Sequence, residues 1–549
     1  MTDGKLFSGQ SLLPEQTLVS VGDHAHLHYQ GDGNLVVYLD GNPIWASHTD
    51  GQPAGMLKMR ADGDMVVQTP DGSGIAHSKT AGHPGAMVQL QDDGNFVIYE
   101  DPRGPLAGTP IWASASSQFV HEHVDKEPVP DRPTTRLVGK VELVDGGRGG
   151  VRDASGQRLI IGLHTGSLLS TAKNIGWSGP LAAIDYADRT GFHFIRDWTN
   201  LPAPDWWGTA PRPGTFSAVD PEHWPTIDRF TDELLARGLR WLVSQGDLLW
   251  FHTIARSWSR QQLFDYMAQL GQRLQAKGGT DQLVIGVDAG NEAWNFTRCT
   301  DTDLMGAMLD AFLRECPCPI RSMTSAADEG ELNTLIGPPV TVTDKHGSRG
   351  EFRHAMERSF TVSYWDGKVH PYTIDSEGPG CGPKVSAVND YAQWMEPEVM
   401  GAITLMQLIT HQMPVVMSSP GVYLSNETFD AYDAQLSLGP RMIPLLPPDI
   451  QSWREFHGGD DKSFSPDRIL RAPAKPGNYR CEHKQGPDGQ YGVFVYQDAP
   501  GPLAIEAING FEGTIMDPGT LQIEPISFNK GQIVNFNFRR ARFLLGHRK

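Results

Sequence analysis

Cysteine is scarce: Cys299, Cys316, Cys318, Cys381 and Cys481 are the five in 549 residues. An odd set without a CxxC pair or a neighbouring histidine ligand pattern argues against a disulfide scaffold and against a zinc site. Long hydrophobic runs are missing too. No stretch reaches the roughly 18–20 apolar residues that a membrane helix requires, and MTDGKLFSGQSLLPEQ at the start lacks the basic and then apolar pattern of a signal peptide. Positive charge is in deficit: 46 Lys and Arg stand against 65 Asp and Glu, a formal charge of −19 with no block of like charge. A general nucleic-acid binder needs a concentrated basic surface, which speaks against that class. Neither a P-loop nor a dinucleotide fingerprint occurs, so phosphate chemistry finds no support. No cofactor, no metal and no membrane insertion are expected.

What is present describes a globular chain of several domains. Hydrophobic residues make up 39% and charged residues 20%, which is a folded rather than a disordered composition. The length suggests about three or four domains. Glycine and proline, 60 and 40 in number, favour many turns and short elements. The 14 tryptophans are core residues or sugar-stacking platforms.

The first 120 residues contain a repeat. Gln30-Gly-Asp32-Gly-Asn34-Leu-Val36-Val-Tyr38 returns as Gln91-Asp-Asp93-Gly-Asn95-Phe-Val97-Ile-Tyr99, with Arg60-Ala-Asp62-Gly-Asp64-Met-Val66-Val-Gln68 between them. Each copy is followed by an echo: Pro43-Ile-Trp45-Ala-Ser47, Gly74-Ile-Ala-His77-Ser78 and Pro110-Ile-Trp112-Ala-Ser114. Side chains two apart on a strand share a face, so Gln, Asp, Asn, Val and Tyr at alternate positions set amide, carboxylate and phenol groups beside one apolar patch. A hexose needs that combination, with donors and acceptors for its hydroxyls and an apolar contact for its C–H surface.

At these residues the chain resembles the bulb-type mannose-binding lectins, whose signature is QxDxNxVxY and whose fold is a three-sided β-prism. The resemblance spans roughly residues 5–118. It implies one mannose pocket of Gln30, Asp32, Asn34, Val36 and Tyr38 and another of Gln91, Asp93, Asn95, Val97 and Tyr99. In the middle copy Arg60 and Gln68 replace Gln and Tyr, which takes the expected hydroxyl partners away from Arg60, Asp62, Asp64 and Gln68. Residues 119–136, polar and with three prolines, read as a linker.

From 137 to 455 short apolar runs alternate with helical patterns, as in a parallel α/β fold. Eight strands are expected, at Leu159–Leu163, Phe192–Ile195, Leu239–Val243, Leu283–Val287, Ile320–Met323, Val340–Val342, Tyr372–Ile374 and Val415–Met417. One intervening helix has Pro225 in its first turn, Ile227, Phe230 and Leu234 on one face, and Gly238 at its end. Another has Pro397 near its start and Val399, Ile403 and Met406 at helical spacing. Eight βα units in this length fit a TIM barrel, whose chemistry lies at the C-terminal strand ends. Arg196-Asp-Trp198 ends the second strand; Asp288-Ala-Gly-Asn291-Glu292-Ala-Trp294 follows the fourth, Asp344-Lys-His346 the sixth, and Asp375-Ser-Glu377 the seventh.

Glycoside hydrolysis needs two carboxyl groups, and Glu292 and Glu377 could supply them. These positions resemble the retaining TIM-barrel glycoside hydrolases, whose motif is Asn-Glu after strand four and Glu after strand seven. That resemblance implies Glu292 as acid/base and Glu377 as nucleophile. It gives Asn291 the sugar 2-hydroxyl and Arg196 the orientation or electrostatic tuning of Glu377, and places His346 near the nucleophile. The Trp that commonly follows strand eight is absent from Met417-Ser-Ser-Pro-Gly, so platform contacts fall to Trp198, Trp250 or Trp294.

Beyond 456 helical periodicity gives way to short strands at Val493–Tyr496, Leu503–Ile508, Thr514–Met516 and Val534–Phe538, a small antiparallel β-sandwich. It resembles the sandwich appended to several barrel glycosidases, and Ile515–Thr520 is loosely similar to their W-x-D-P-R-T-G segment. The expected order is β-prism lectin, linker, TIM barrel (137–455) and β-sandwich (456–549). Two functions fit: a retaining O-glycoside hydrolase tethered to a mannose-containing glycan or polysaccharide, or a glycan-binding adhesion or phage tail protein whose barrel does not cleave. Without a signal peptide pattern, extracellular action is expected through non-classical release or as part of a phage virion with other particle proteins, and otherwise the chain is cytoplasmic.

Overall fold

The computed structural model describes the chain apart from residues 1–3, 48, 50–51, 71, 93, 102–108, 114–119, 122–135, 166, 202–215, 247, 291–298, 300, 324–338, 346–371, 376–377, 379, 382–395, 419–425, 457–466, 472–478 and 498–499. Two compact units emerge, one of Met1–Pro133 with Ile175–Ser178 and one of Thr134–Asn174 with Gly179–Lys549.

In the first unit each repeat builds one antiparallel sheet. Thr17–Val19, Ala25–Tyr29, Leu35–Leu39 and Asn42–Ala46 form one; Met56–Met59, Met65–Gln68 and Gly74–His77 form the second with Ser11–Leu12 and Val120–His121 added at its edges; Met87–Leu90, Phe96–Tyr99 and Pro110–Ala113 form the third with Lys5–Leu6 added. Strand alternation explains the core. Inward positions such as Leu27, Leu35, Val37, Leu57, Val67, Val88, Phe96 and Ile98 are buried in one cluster that the three sheets share. Trp45, Phe96 and Trp112 meet in it with ring centroids 6.1, 6.3 and 6.2 Å apart. The ladder shifts register at the same place in every copy, between Val37 and Tyr38, Val67 and Gln68, and Ile98 and Tyr99. The expected three-sided β-prism is the fold of this unit.

The second unit holds the barrel. Its strands are β1 (Gly162–His164), β2 (Phe194–Trp198), β3 (Arg240–Ser244), β4 (Val284–Asp288), β5 (Arg321–Ser322), β6 (Thr343–Lys345), β7 (Thr373–Asp375) and β8 (Gln412–Ser418). They pair in the order β5-β4-β3-β2-β1-β8-β7-β6, all in parallel. The gap between β5 and β6 is nearly closed by the amides of Thr341 and Val342, which donate to the Arg321 carbonyl at 3.0 and 3.3 Å. The expected number of strands is present, and seven of the eight overlap the segments expected for them. β6 begins three residues later than the apolar run Val340–Val342, because that run meets Arg321 and the ladder to β7 starts at Thr343.

Local sequence sets the packing around these strands. Gly162 leaves room for Phe194, since a β-carbon at Gly162 would stand 2.2 Å from that ring. The helix His223–Arg237 buries Ile227, Phe230 and Leu234 and ends at Gly238, whose φ of 67° is a left-handed cap that glycine adopts without strain. The helix Pro397–Ile409 starts on its proline and is buried on all sides from Val399 onward. Val151, in the short sheet that precedes β1, and Val141, just before that sheet, join Phe194, Leu242, Ile374 and Val415 in the barrel's core.

Antiparallel sheets complete the unit. Arg454–Phe456, Tyr479–Gln485, Gln490–Gln497, Ala541–Arg548, Phe511–Met516 and Ile523–Phe528 form one in that order, and Gly501–Glu506 pairs with Ile533–Phe538 in another. Val493, Val495, Ile505, Phe511, Phe536 and Leu544 pack between them. Cys299, Cys316, Cys318 and Cys481 are free and buried. Among the described residues no helix is long and apolar enough to cross a membrane.

Candidate functional site

The mouth of the barrel is built where the strands stop. Alternation along β2 sends Phe194, Arg196 and Trp198 to one side and Ile195 and Asp197 to the other. Asp197 caps a helix: its carboxylate oxygens accept the amides of Leu168 and Leu169 at 3.0 and 2.9 Å. Burial nevertheless pushes its pKa up to about 7, against those backbone hydrogen bonds.

Arg196 is fully buried. The Arg196 carbonyl lies 3.1 Å from His164 Nδ1, and Arg196 Nη1 lies 3.2 Å from His164 Nε2. Both contacts are satisfied together when Nδ1 carries the proton and Nε2 accepts from the guanidinium, a neutral imidazole. Nη2 reaches Ser244 Oγ at 3.5 Å, and that hydroxyl donates to Asp288 Oδ2 at 3.1 Å. The other Asp288 oxygen accepts the Gly290 amide at 3.3 Å. Ser322 Oγ donates to Asp344 Oδ2 at 3.3 Å. Polar side chains from β1 to β6 thus converge at one end of the barrel. Burial first, and then the negative charge of Asp344, raise the Asp288 pKa to about 7, while Arg196 opposes the rise. A buried guanidinium of this kind stabilises an adjacent carboxylate and lowers its pKa.

Of the residues picked from the sequence, Arg196 and Trp198 lie in this end of β2. Trp198 is 4% exposed, with the centroid of the His164 ring 5.2 Å from its own and the Arg196 guanidinium 5.7 Å from it. Trp250 is half-buried and opens the helix Trp250–Thr253. Asn291, Glu292, Trp294, His346 and Glu377 lie outside the described residues; in the chain they follow β4, β6 and β7. Sequence reasoning gives no role to His164 and Ser244. Their signal is a polar residue closing an apolar run, Ile160-Ile-Gly-Leu-His164 and Trp241-Leu-Val-Ser244, which becomes meaningful only once the strands are known to end there.

The prism carries the second set. Gln30 Nε2 donates to Tyr38 Oη at 2.9 Å, and Gln91 Nε2 to Tyr99 Oη at 2.9 Å. The intervening turn is tied by the Gln30 amide to the Asn34 carbonyl at 2.8 Å, and likewise by Gln91 to Asn95 at 2.9 Å. Asp32 Oδ1 accepts the Asn34 amide at 2.9 Å. In each of these two repeats the Gln amide and the Tyr phenol are thereby held together. Asp93 lies outside the described residues. In the middle copy Asp64 Oδ2 lies 2.9 Å from His77 Nδ1, and Gln68 Nε2 turns to the Gly72 carbonyl at 3.2 Å, so the Gln–Tyr bond of the other copies has no counterpart.

No family model matches the chain. Curculin-2 from Molineria latifolia is 43% identical over 68 residues, 12% of this chain and 42% of the relative. The chain therefore spans about two fifths of the length of that curated relative. Among solved structures, a family 5 glycoside hydrolase from Bacteroides vulgatus covers 75% of this chain and 95% of its own at 10% identity and a TM-score of 0.52. The mannose-specific agglutinin of snowdrop (Galanthus nivalis) bulbs, complexed with methyl-α-D-mannoside, is 35% identical over 19% of this chain and 97% of its own, at a TM-score of 0.18. The N-terminal region matches the bulb-type mannose-binding lectins, and the rest resembles in fold a family 5 glycoside hydrolase TIM barrel.

Proposed function

We propose that this chain is a glycan-directed glycoside hydrolase whose N-terminal module holds mannose residues while the barrel cleaves a glycosidic bond with retention. The observation that carries the reading is the buried Arg196 at the mouth of a glycosidase-like barrel, with Asn291-Glu292 following β4 and Glu377 following β7. In this mechanism Glu292 protonates the leaving oxygen and Glu377 attacks the anomeric carbon; Glu292 then takes a proton from the water that releases the sugar. The positive charge of Arg196 favours the ionised nucleophile, and Asn291 binds the 2-hydroxyl. His346, Trp198 and Trp294 are assigned to the substrate. Retention calls for carboxyl groups about 5 to 5.5 Å apart. Holding the glycan through Gln30–Tyr38 and Gln91–Tyr99 raises the substrate's local concentration, so modest lectin affinity suffices.

The test is a panel of chromogenic glycosides and polysaccharides run on wild type and Glu377→Gln, with mannan binding read on the same samples. Turnover that vanishes in the variant while binding persists is the expected result. Binding without turnover across a broad panel would replace this reading with that of an adhesion or particle protein that keeps the barrel as scaffold.

A further inference from the structure

The middle repeat of the first unit departs from its neighbours at a position that the register makes comparable. In each repeat the closing strand sets one residue opposite the pocket's valine: Ala46 opposite Val36, Ala113 opposite Val97, and His77 opposite Val66. Directly opposed residues of an antiparallel ladder project on the same face. Where two repeats hold a methyl group beside the apolar patch, the middle one holds an imidazole. That side chain is only 16% exposed. Its Nε2 crowds Gly74, where a β-carbon would stand 2.6 Å from it, and the other repeats have Pro43 and Pro110 at this position.

The partner of His77 is the second difference. Asn34 Oδ1 accepts from Ser47 Oγ and from the Thr49 amide, both at 3.3 Å, which leaves Nδ2 as its donor. Asp64 copies the first half of this arrangement, with Oδ1 accepting from Ser78 Oγ at 3.0 Å and from the Thr80 amide at 3.2 Å. The remaining oxygen, Oδ2, is the one His77 holds. The atom equivalent to the Asn34 donor is thus both changed in character and already engaged.

We infer that His77 is the specificity-determining residue of the middle repeat: its imidazole occupies the place beside Val66 and Asp64 that a hexose would take, so the module offers two mannose pockets and not three. This rests on the sugar-binding half of the proposed function, and the experiment separates the two. The full chain is titrated calorimetrically with methyl α-mannoside, and crystals are soaked in the same sugar. About two equivalents are expected, with sugar beside Gln30 and Gln91 and none beside Asp64. No heat and no sugar in any pocket would remove the sugar-binding reading and the inference with it. Sugar beside Asp64 with His77 in place would overturn the inference alone. Two variants test the role of the imidazole: Arg60→Gln/Asp64→Asn/Gln68→Tyr, and the same three with His77→Ala. A third equivalent is expected only when His77 is replaced, and the two retained equivalents report that the module is folded. A third equivalent in the variant that keeps His77, or none in the one that loses it, would refute the assignment.

Discussion

In the first unit the candidate sugar ligands stand on strands and on the turns that join them, and every position has a counterpart in two other repeats of the same chain. In the second unit the candidate catalytic groups follow strands in the chain, and each occurs once. The difference affects what substitutions reveal. In the prism a residue is judged against its own copies, as His77 is against Ala46 and Ala113. In the barrel a residue such as Arg196 is judged by what it touches, here His164 and Ser244. His24 and His26 lie on the surface beside Asp40 and Asp23, whereas burial pushes His193 down to about 4 and His223 to about 3.

The sharpest way to break this comparison is to disable each unit separately. Glu377→Gln should lower turnover of a soluble aryl glycoside by about 10³-fold or more while mannan binding stays unchanged. Gln30→Ala/Gln91→Ala should do the reverse, abolishing mannan retention and leaving aryl-glycoside turnover within about twofold, since a small substrate gains nothing from tethering. Steady-state kinetics and mannan pull-down on the same preparations check both. Loss of turnover in the lectin variant would show that the two units do not act separately.

A smaller effect tests whether each unit has its own core. Trp112 is 5% exposed and packs edge-on against both Trp45 and Phe96. Trp112→Ala should cost the first unit on the order of 3 kcal/mol through lost burial and the cavity left behind. Calorimetric scans should show one transition moved down and the transition of the barrel unit unmoved, with aryl-glycoside turnover intact.

Much of this is legible in the sequence, for reasons that differ by region. The repeat announces the prism because five residue types recur at alternate positions. The eight barrel strands are readable because parallel strands buried on both faces become continuous apolar runs. β6 is displaced by three residues from its apolar run because its ladder residues, Thr343-Asp-Lys345, are polar and the run lies just before them. The strands Tyr479–Gln485 and Ile523–Phe528 escape such a reading because the first, Tyr-Arg-Cys-Glu-His-Lys-Gln, mixes charge into buried positions, and the second carries Pro525. His164, Ser244 and the approach of Asp288 to Asp344 are not legible, because they depend on which strands are neighbours across the barrel.

The smallest predicted effect concerns that last pair. Asp288 has a folded-state pKa near 7, above the ordinary carboxylate value, because it is buried and close to Asp344. A group raised in this way stabilises the fold fully below its unfolded pKa of about 4, and that contribution is lost as pH rises through the folded value. Between pH 5 and pH 8 the second unit should therefore lose roughly 2 kcal/mol from this carboxyl. Asp288→Asn has no proton to lose; its one oxygen accepts the Gly290 amide, and its Nδ2 turns to Ser244 Oγ, which then serves as acceptor. Relative to wild type it should gain about that amount between pH 5 and pH 8, whatever its absolute stability. The first unit supplies an internal reference: its Asp92 is shifted the other way, held down by the Ser20 hydroxyl and the Gly22 amide. Denaturant unfolding of both proteins at several pH values, followed by signals from each unit, measures the difference. A gap between variant and wild type that stays flat with pH would mean that Asp288 is ionised throughout, and that Arg196 outweighs both burial and Asp344.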